Sequence, residues 1–180
     1  MLPIVIQEQE CWDEINEEFV PVKTHVLQLE HSLVSISKWE AKWKKPFLSR
    51  EGHTREETID YIRFMTITQN VNPVLYNLLT DEHIRQVNAY IDDPMSATQI
   101  SKQEGKGLAG RAITSEEIYA SMVEFRVPAE FQKWHFNRLM MLLRVLSERS
   151  KPKKKMRKGD VARRNRQLNA ARKARLGTRG

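Results

Sequence analysis

The sequence predicts a mainly α-helical protein with a small N-terminal β-hairpin and a basic, partly helical C-terminal tail, an α+β arrangement. Three observations predict it. β-branched runs occupy the first thirty or so residues. From Ser32 onward, apolar residues recur every three or four positions behind repeated helix-start signals. From Ser150 to Gly180 there are 13 Lys and Arg against one acid, Asp160. The expected organisation is a hairpin over 1–31 packed on a helical domain over 32–149, followed by a tail over 150–180.

Leu2-Pro3-Ile4-Val5-Ile6 reads as a first strand, and Val22 to Glu30, with Val26, Leu27 and Leu29, as a second. The acidic stretch between them, Glu8 to Glu18, carries Trp12 and Ile15, with Phe19 just beyond, and reads as a loop or short turn. Two strands alone are not stable, so the hairpin must pack on the body. Ser32 caps a helix bearing Leu33, Ile36, Trp39 (or Glu40) and Trp43; Pro46 closes it, with Phe47 and Leu48 folding back. Thr54-Arg55-Glu56-Glu57 is a capping box ahead of Ile59, Ile62, Phe64, Met65 and Ile67. Asn72-Pro73 starts a helix with Leu75, Leu78 and Leu79, and Thr80-Asp81 one with Ile84, Val87 and Ile91. Residues 93–112, with Pro94, Gly105, Gly107 and Gly110, read as a long loop.

Thr114-Ser115-Glu116-Glu117 repeats the capping box, before Ile118, Tyr119, Met122 and Phe125. Pro128 opens the last body helix, whose stripe is Phe131, Trp134, Leu139, Leu142, Leu143 and Leu146, widened by Met140 and Met141. In the tail, Lys151-Pro152-Lys153-Lys154-Lys155 excludes a local helix. Asp160 to Ala174 is rich in helix formers, with Asp160 as its cap. Few apolar residues line that segment, so its helix is marginal alone and orders against a partner.

The 150-residue body is large enough to bury a core without disulfides or metal. The single cysteine, Cys11, excludes an intrachain disulfide and fits a reducing compartment. Met1 to Ile6 is too short for a secretory signal, and no stretch approaches the roughly 18 to 20 apolar residues of a membrane helix, so a soluble protein without membrane contact is expected. Ser150 to Gly180 carries +12 of a chain whose net charge is +7, leaving −5 on the body. Such a tail suits a polyanion or an acidic protein surface; a solubilising tail is the alternative.

Reactive groups do not cluster in the sequence. There is no Gly-rich phosphate loop and no Gly-x-Ser-x-Gly elbow. His25, His31, His53, His83 and His135 are scattered, and none has a second His or Cys at metal spacing. Cys11 sits among acids, which disfavour a thiolate. Glu56-Glu57 and Glu116-Glu117 are accounted for by helix N-termini. The expectation is a non-enzymatic binding protein, with no catalytic residue, cofactor or metal.

Two groups are candidate contact sites. Trp39 and Trp43 flank Lys42, Lys44 and Lys45, a pattern that stacks on single-stranded bases, although core packing of the tryptophans is the favoured reading. Gln132-Lys133-Trp134-His135-Phe136-Asn137-Arg138-Leu139 interleaves aromatic and basic residues. With Trp134 and Leu139 inward, His135 and Arg138 lie at the rim; His135 reads as a half-buried, satisfied imidazole, and Arg138 as an equal candidate for an intramolecular ion pair. In the tail, Lys153, Lys154, Lys155, Arg157, Lys158, Arg163, Arg164 and Arg166 are the candidate contacts to a polyanion or acidic partner.

Several of these stretches resemble a known family. Leu29-Glu30-His31-Ser32-Leu33-Val34-Ser35-Ile36-Ser37-Lys38-Trp39-Glu40, Lys45-Pro46-Phe47-Leu48 and Glu57-Thr58-Ile59-Asp60-Tyr61-Ile62 are similar to the tail assembly chaperones of long-tailed phages of Gram-positive hosts. Pro94-Met95-Ser96-Ala97-Thr98, Ile113-Thr114-Ser115-Glu116-Glu117-Ile118-Tyr119 and Lys133-Trp134-His135-Phe136-Asn137-Arg138-Leu139 continue the resemblance, and Arg164-Asn165-Arg166-Gln167-Leu168-Asn169-Ala170-Ala171-Arg172 closes it. It covers nearly the whole chain, in order and with similar spacing. The chain departs from it at Ala120-Ser121-Met122-Val123-Glu124, where the family pattern has an apolar-aromatic run, and over Glu104 to Gly110.

The resemblance implies a chaperone that coats the helical tape measure protein before the tail tube polymerises around it, covering its apolar stripes in helix-in-groove fashion. The implied partners are the tape measure protein and the tail tube protein, in the host bacterial cytoplasm, with the protein absent from the mature virion. Members are often also made as a longer, frameshifted form. The alternative reading is a nucleic-acid-binding or virion structural component acting through the basic tail; homo-oligomerisation is compatible with either.

Overall fold

The computed structural model describes residues 1–13, 18–49, 52–98, 112–151 and 158–177. The fold is mainly helical with a small N-terminal β-hairpin. The chain divides into two compact units, Met1–Ser147 and Glu148–Gly180.

The hairpin is longer than the sequence predicts. β1 (Leu2–Ile6) pairs antiparallel with β4 (His25–Leu29), and β2 (Gln9–Asp13) with β3 (Glu18–Val22). Leu2 faces Leu29, Ile6 faces His25, Gln9 faces Val22 and Asp13 faces Glu18, so one unshifted register runs through both pairs. The stretch read as an acidic loop is therefore largely strand. Cys11, Trp12, Phe19, Val20 and Val22 are strand formers whose signal the interspersed acids mask. Ile15 lies outside the described residues.

Alternation sorts the base of the hairpin into two faces. Ile4, Ile6, Leu27 and Leu29 are buried, whereas the cross-strand pair Val5 and Val26 stays exposed. The outer edge of β4 is also covered. Glu30 N–H donates to the Met65 carbonyl (2.9 Å), and Ile67 N–H to the Gln28 carbonyl (2.8 Å). Ile67, predicted to lie on a buried helix stripe, is instead extended beside β4 and exposed.

α1 (Leu33–Trp43) begins where β4 ends. Ser32 accepts from Ser35 N–H (3.3 Å) and returns its own N–H to Ser35 Oγ (2.9 Å). The helix stops at Lys44, whose left-handed φ of +56° turns its N–H back to the Glu40 carbonyl (2.8 Å). Phe47 folds back into the core, while Leu48 does not and remains exposed. α2 (Arg55–Met65) starts at the predicted capping box: Glu57 N–H donates to Thr54 Oγ1 (3.3 Å) and Thr54 N–H to Glu57 Oε2 (2.8 Å).

Asn72-Pro73 opens a 3-10 turn, Pro73–Leu78, and not a full helix. It is too short for the predicted stripe, yet Leu75, Tyr76 and Leu79 are buried. α3 (Asp81–Asp92) and α4 (Ser115–Glu124) start at the predicted Thr80 and Thr114. Residues 93–98 are irregular; most of the predicted long loop lies outside the described residues.

The predicted helix from Pro128 is divided. Ala129–Lys133 form a 3-10 turn, Trp134 is extended, and α5 spans Phe136–Ser150. Tertiary pairing explains the break. His135 bridges Ser32 in antiparallel fashion, and Phe136 N–H donates to the His31 carbonyl at 2.7 Å. The two helix starts, at Ser32-Leu33 and His135-Phe136, are thereby laced side by side, which overrides the helical preference of 128–135. Phe136, Leu139 and Leu143 are the buried face of α5.

In the second unit, α6 runs Lys158–Leu176, two residues longer at each end than the sequence predicts. Asp160 lies in its first turn and is not its cap; a carboxylate there still meets the positive end of the helix dipole. Gly177, at φ +61°, supplies the left-handed stop.

The core joins the buried hairpin face to all five body helices, with Trp39 fully buried among them. Trp39→Ala should cost about 3 to 5 kcal/mol in urea unfolding, whereas Val123→Ala, at a 78% exposed position, should stay within about 0.5 kcal/mol.

Candidate interaction surfaces

The group around Trp39 and Trp43 is built into the body. Trp39 Nε1 donates to the Glu57 carbonyl at 2.9 Å, and its ring meets Phe47 edge-on at 5.2 Å and His53 at 4.9 Å. Trp43 is half-buried, and its Nε1 has no partner among the described residues. Their basic neighbours face carboxylates: Lys42 pairs with Asp60, and Lys45 with Glu57 at 2.6 Å. Lys45 holds the Glu57 carboxyl below the usual carboxylate range, helped by the Thr54 amide. Trp39 thus cannot reach a partner, and the base-stacking alternative is replaced here by core packing.

The histidines that look scattered in the sequence are partly gathered by the fold. His31 and His135 are both buried, their rings 5.2 Å apart and edge-to-face. His31 Nδ1 lies 2.5 Å from the Tyr61 hydroxyl, which also lies 3.5 Å from Ser35 Oγ. His135 Nε2 donates to the Tyr90 carbonyl (3.0 Å), while its Nδ1 is buried with no partner among the described residues. The Tyr90 hydroxyl donates to Glu30 Oε1 (2.8 Å), and the N-terminal amine pairs with Glu30 Oε2 (3.1 Å). Burial, with the neighbouring His135, pushes the His31 imidazole down to about 3. Burial and the Glu30 carboxylate raise the Tyr90 hydroxyl. His31 is therefore neutral over the physiological range. The network seams β4, α1, α2, α3 and α5 together. The sequence carries no local signal for it, because the pairing of Ser32 with His135 that gathers the rings is non-local.

His135 is thus inside and Trp134 outside, the reverse of the predicted placement. Trp134 is half-buried and stacked on Phe131, with ring centroids 3.9 Å apart and planes 16° apart. The exposed Arg138 guanidinium lies 4.2 Å from the Trp134 ring. Beside them, Tyr119 donates its hydroxyl to Gln132 Oε1 (3.0 Å). This ledge of Phe131, Trp134 and Arg138 links the 3-10 turn to α5. Phe131, assigned by the sequence to the core stripe, was the missed member, because the helix break at 134–135 is set by the distant pairing with 31–32.

In the tail, Lys153, Lys154, Lys155 and Arg157 lie outside the described residues. Lys158 begins α6, and Arg163, Arg164 and Arg166 are exposed on it.

A cleft of about 470 Å³ opens between α1 and α2, lined by Lys42, Arg55, Glu56, Ile59, Asp60, Arg63 and Asn77. Its walls are charged, unlike the apolar groove expected for a guest helix. Among the described residues, no group of three His, Cys, Asp or Glu is arranged to hold a metal ion, and no helix is long and apolar enough to cross a membrane. No family model matches the chain, and neither does any curated protein or solved structure.

The buried His31 makes the fold acid-sensitive. The unfolded chain protonates His31 near 6.5, the folded one only near 3, so the unfolded state binds more protons in between. The stabilisation is complete above pH 6.5 and declines as the pH falls. Unfolding free energy should drop by up to about 1.4 kcal/mol per pH unit between pH 6 and 5, and His31→Gln should flatten that slope. NMR titration of the His31 ring should show no proton uptake above pH 5; a midpoint near 6.5 would refute the assignment.

Proposed function

We propose that this protein is a tail assembly chaperone of a long-tailed phage, a non-enzymatic partner of the tape measure protein, the tail tube protein or both. The observation that carries the reading is the ordered resemblance running from Leu29 to Arg172. One structural feature supports it. The body presents an aromatic-cationic ledge, Phe131, Trp134 and Arg138, made from the residue types that dominate protein-interface hot spots. Two of its three residues, Trp134 and Arg138, belong to the stretch with the resemblance, Lys133 to Leu139.

In this reading the ledge anchors one apolar stripe of a tape measure helix. Trp134 supplies area at low entropic cost, and Arg138 keeps the indole oriented while reaching an acid or carbonyl of the guest. Because the α1–α2 cleft is charged, the guest would lie along the 3-10 turn and α5 and not in that cleft. The protein would act in the host cytoplasm and leave before the virion is complete.

Co-expression with the tape measure protein of a long-tailed phage should yield a co-purifying, more soluble complex. Trp134→Ala with Arg138→Ala should weaken that complex by about 2 kcal/mol or more, roughly thirty-fold in Kd, with the unfolding midpoint little changed. Abundance of the protein in purified virions, or normal tails after its deletion, would overturn the assignment.

A further inference from the structure

α6 carries a charge pattern that a role for the body alone leaves unused. Arg163, Arg164, Arg166, Arg172, Lys173 and Arg175 are all exposed, and Asp160 is the one acid of the helix. At about 100° per residue, these cations point to every side of the helix and do not form a stripe. Val161, Leu168 and Leu176 are exposed too, with Arg172 and Arg175 set among them on the same side. A helix that lies on a membrane or in an apolar protein groove separates its apolar and cationic faces. This one does not, and an acidic protein surface would engage only one of its sides.

The matching ligand places negative charge around the helix. Five of the six exposed cations are arginines, whose planar forks fit phosphate oxygens two at a time. Asn165, Gln167 and Asn169 alternate with them and offer amide groups suited to base edges. B-form DNA takes a helix into a wide groove that touches one face and leaves the far face in solvent. The RNA major groove is deep and narrow, with phosphates on both walls, and admits a helix where a bulge or internal loop widens it.

We propose that α6 is an RNA-binding helix that inserts into the widened major groove of a bulged RNA stem, using arginines on opposite sides to contact phosphates of both strands. The helix has no apolar face to bury, so RNA phosphates also supply the stabilisation it lacks alone. The inference is independent of the chaperone reading, which is tested on the body.

The test uses the full-length protein and fluorescence anisotropy with four probes: a bulged RNA hairpin, an uninterrupted RNA duplex, a DNA duplex of the same sequence, and a poly-glutamate peptide. The bulged hairpin should bind at least ten-fold more tightly than each of the others at about 0.1 M salt. Its log Kd against log salt should be steep, and Arg163→Gln/Arg166→Gln/Arg172→Gln should lower that slope by roughly two to three units. Glutamine keeps helix propensity, so far-UV circular dichroism of the free protein should not change. The corresponding triple lysine variant should retain most of the slope and lose the preference for the bulge, because it keeps charge without the fork. Equal binding of DNA and RNA, a slope unchanged by the glutamine variant, or preference for poly-glutamate would each overturn the proposal.

Discussion

The body depends on a buried carboxylate, Glu40, that meets no cation among the described residues. Glu40, on the inner face of α1, accepts Phe47 N–H at one oxygen (2.9 Å) and Ser115 N–H at the other (2.8 Å). One side chain thereby fixes the turn after α1 and the first residue of α4, 75 positions away in sequence. An uncompensated buried carboxylate is costly. It is tolerated here because both acceptors meet backbone donors, and because Ser115 opens a helix whose dipole is positive at that end. Trp39, one residue earlier, does the reverse job, donating to the Glu57 carbonyl of α2. Adjacent residues of α1 thus hold α4 and α2 by opposite hydrogen-bond polarity. The apolar core sets the hydrophobic contribution, and these directional bonds choose which helix packs where.

The seam of His31 and His135 extends the same logic to the start of two helices. His31 precedes α1 and His135 precedes α5, and the backbone bridge between Ser32 and His135 makes the two starts neighbours. Each imidazole is held at one nitrogen, by the Tyr61 hydroxyl or the Tyr90 carbonyl. The interior is thereby polar where the hairpin, α1, α3 and α5 converge. A core built this way depends on the His31 ring staying neutral, so its stability is tied to proton activity in a way that an aliphatic junction would not be. The N-terminal amine on Glu30, whose other oxygen takes the Tyr90 hydroxyl, brings the first residue of the chain into the same seam.

Local signals were enough to read most of the helices. Ser32, Thr54, Thr80 and Thr114 each open a helix where the capping pattern places one, because a cap is a short-range interaction among four residues. The hairpin base was legible from its β-branched alternation, but its upper half was not, since Glu8, Glu10, Asp13 and Glu18 dilute the strand signal. The helix break before Phe136 was illegible, because it is imposed by residues 31–32, roughly a hundred positions earlier. That same non-local pairing turned His135 inward and Trp134 outward, so the candidate site was legible in its residues and not in its orientation. Glu40 was legible as an inward position of α1, but Glu57 and Asp60 look like solvated helix charges until their partners, Lys45 and Lys42, are brought to them by the fold.

Charge is partitioned along the chain in a way that constrains any account of its role. The body carries −5 and the segment from Ser150 carries +12. Charge of opposite sign on the two segments draws each toward a different class of partner. On the body, Lys42 and Lys45 are engaged by Asp60 and Glu57, and the candidate contact surface is the Trp134 ledge. On α6 the balance is reversed: five exposed arginines outnumber the three large apolar side chains Val161, Leu168 and Leu176, and with arginines set among these, affinity must come from charge and from hydrogen bonds. A single partner satisfying both would have to be apolar over one region and polyanionic over another. Two partners, one proteinaceous and one nucleic acid, match the two chemistries without that demand, and predict that raised salt releases the second while sparing the first.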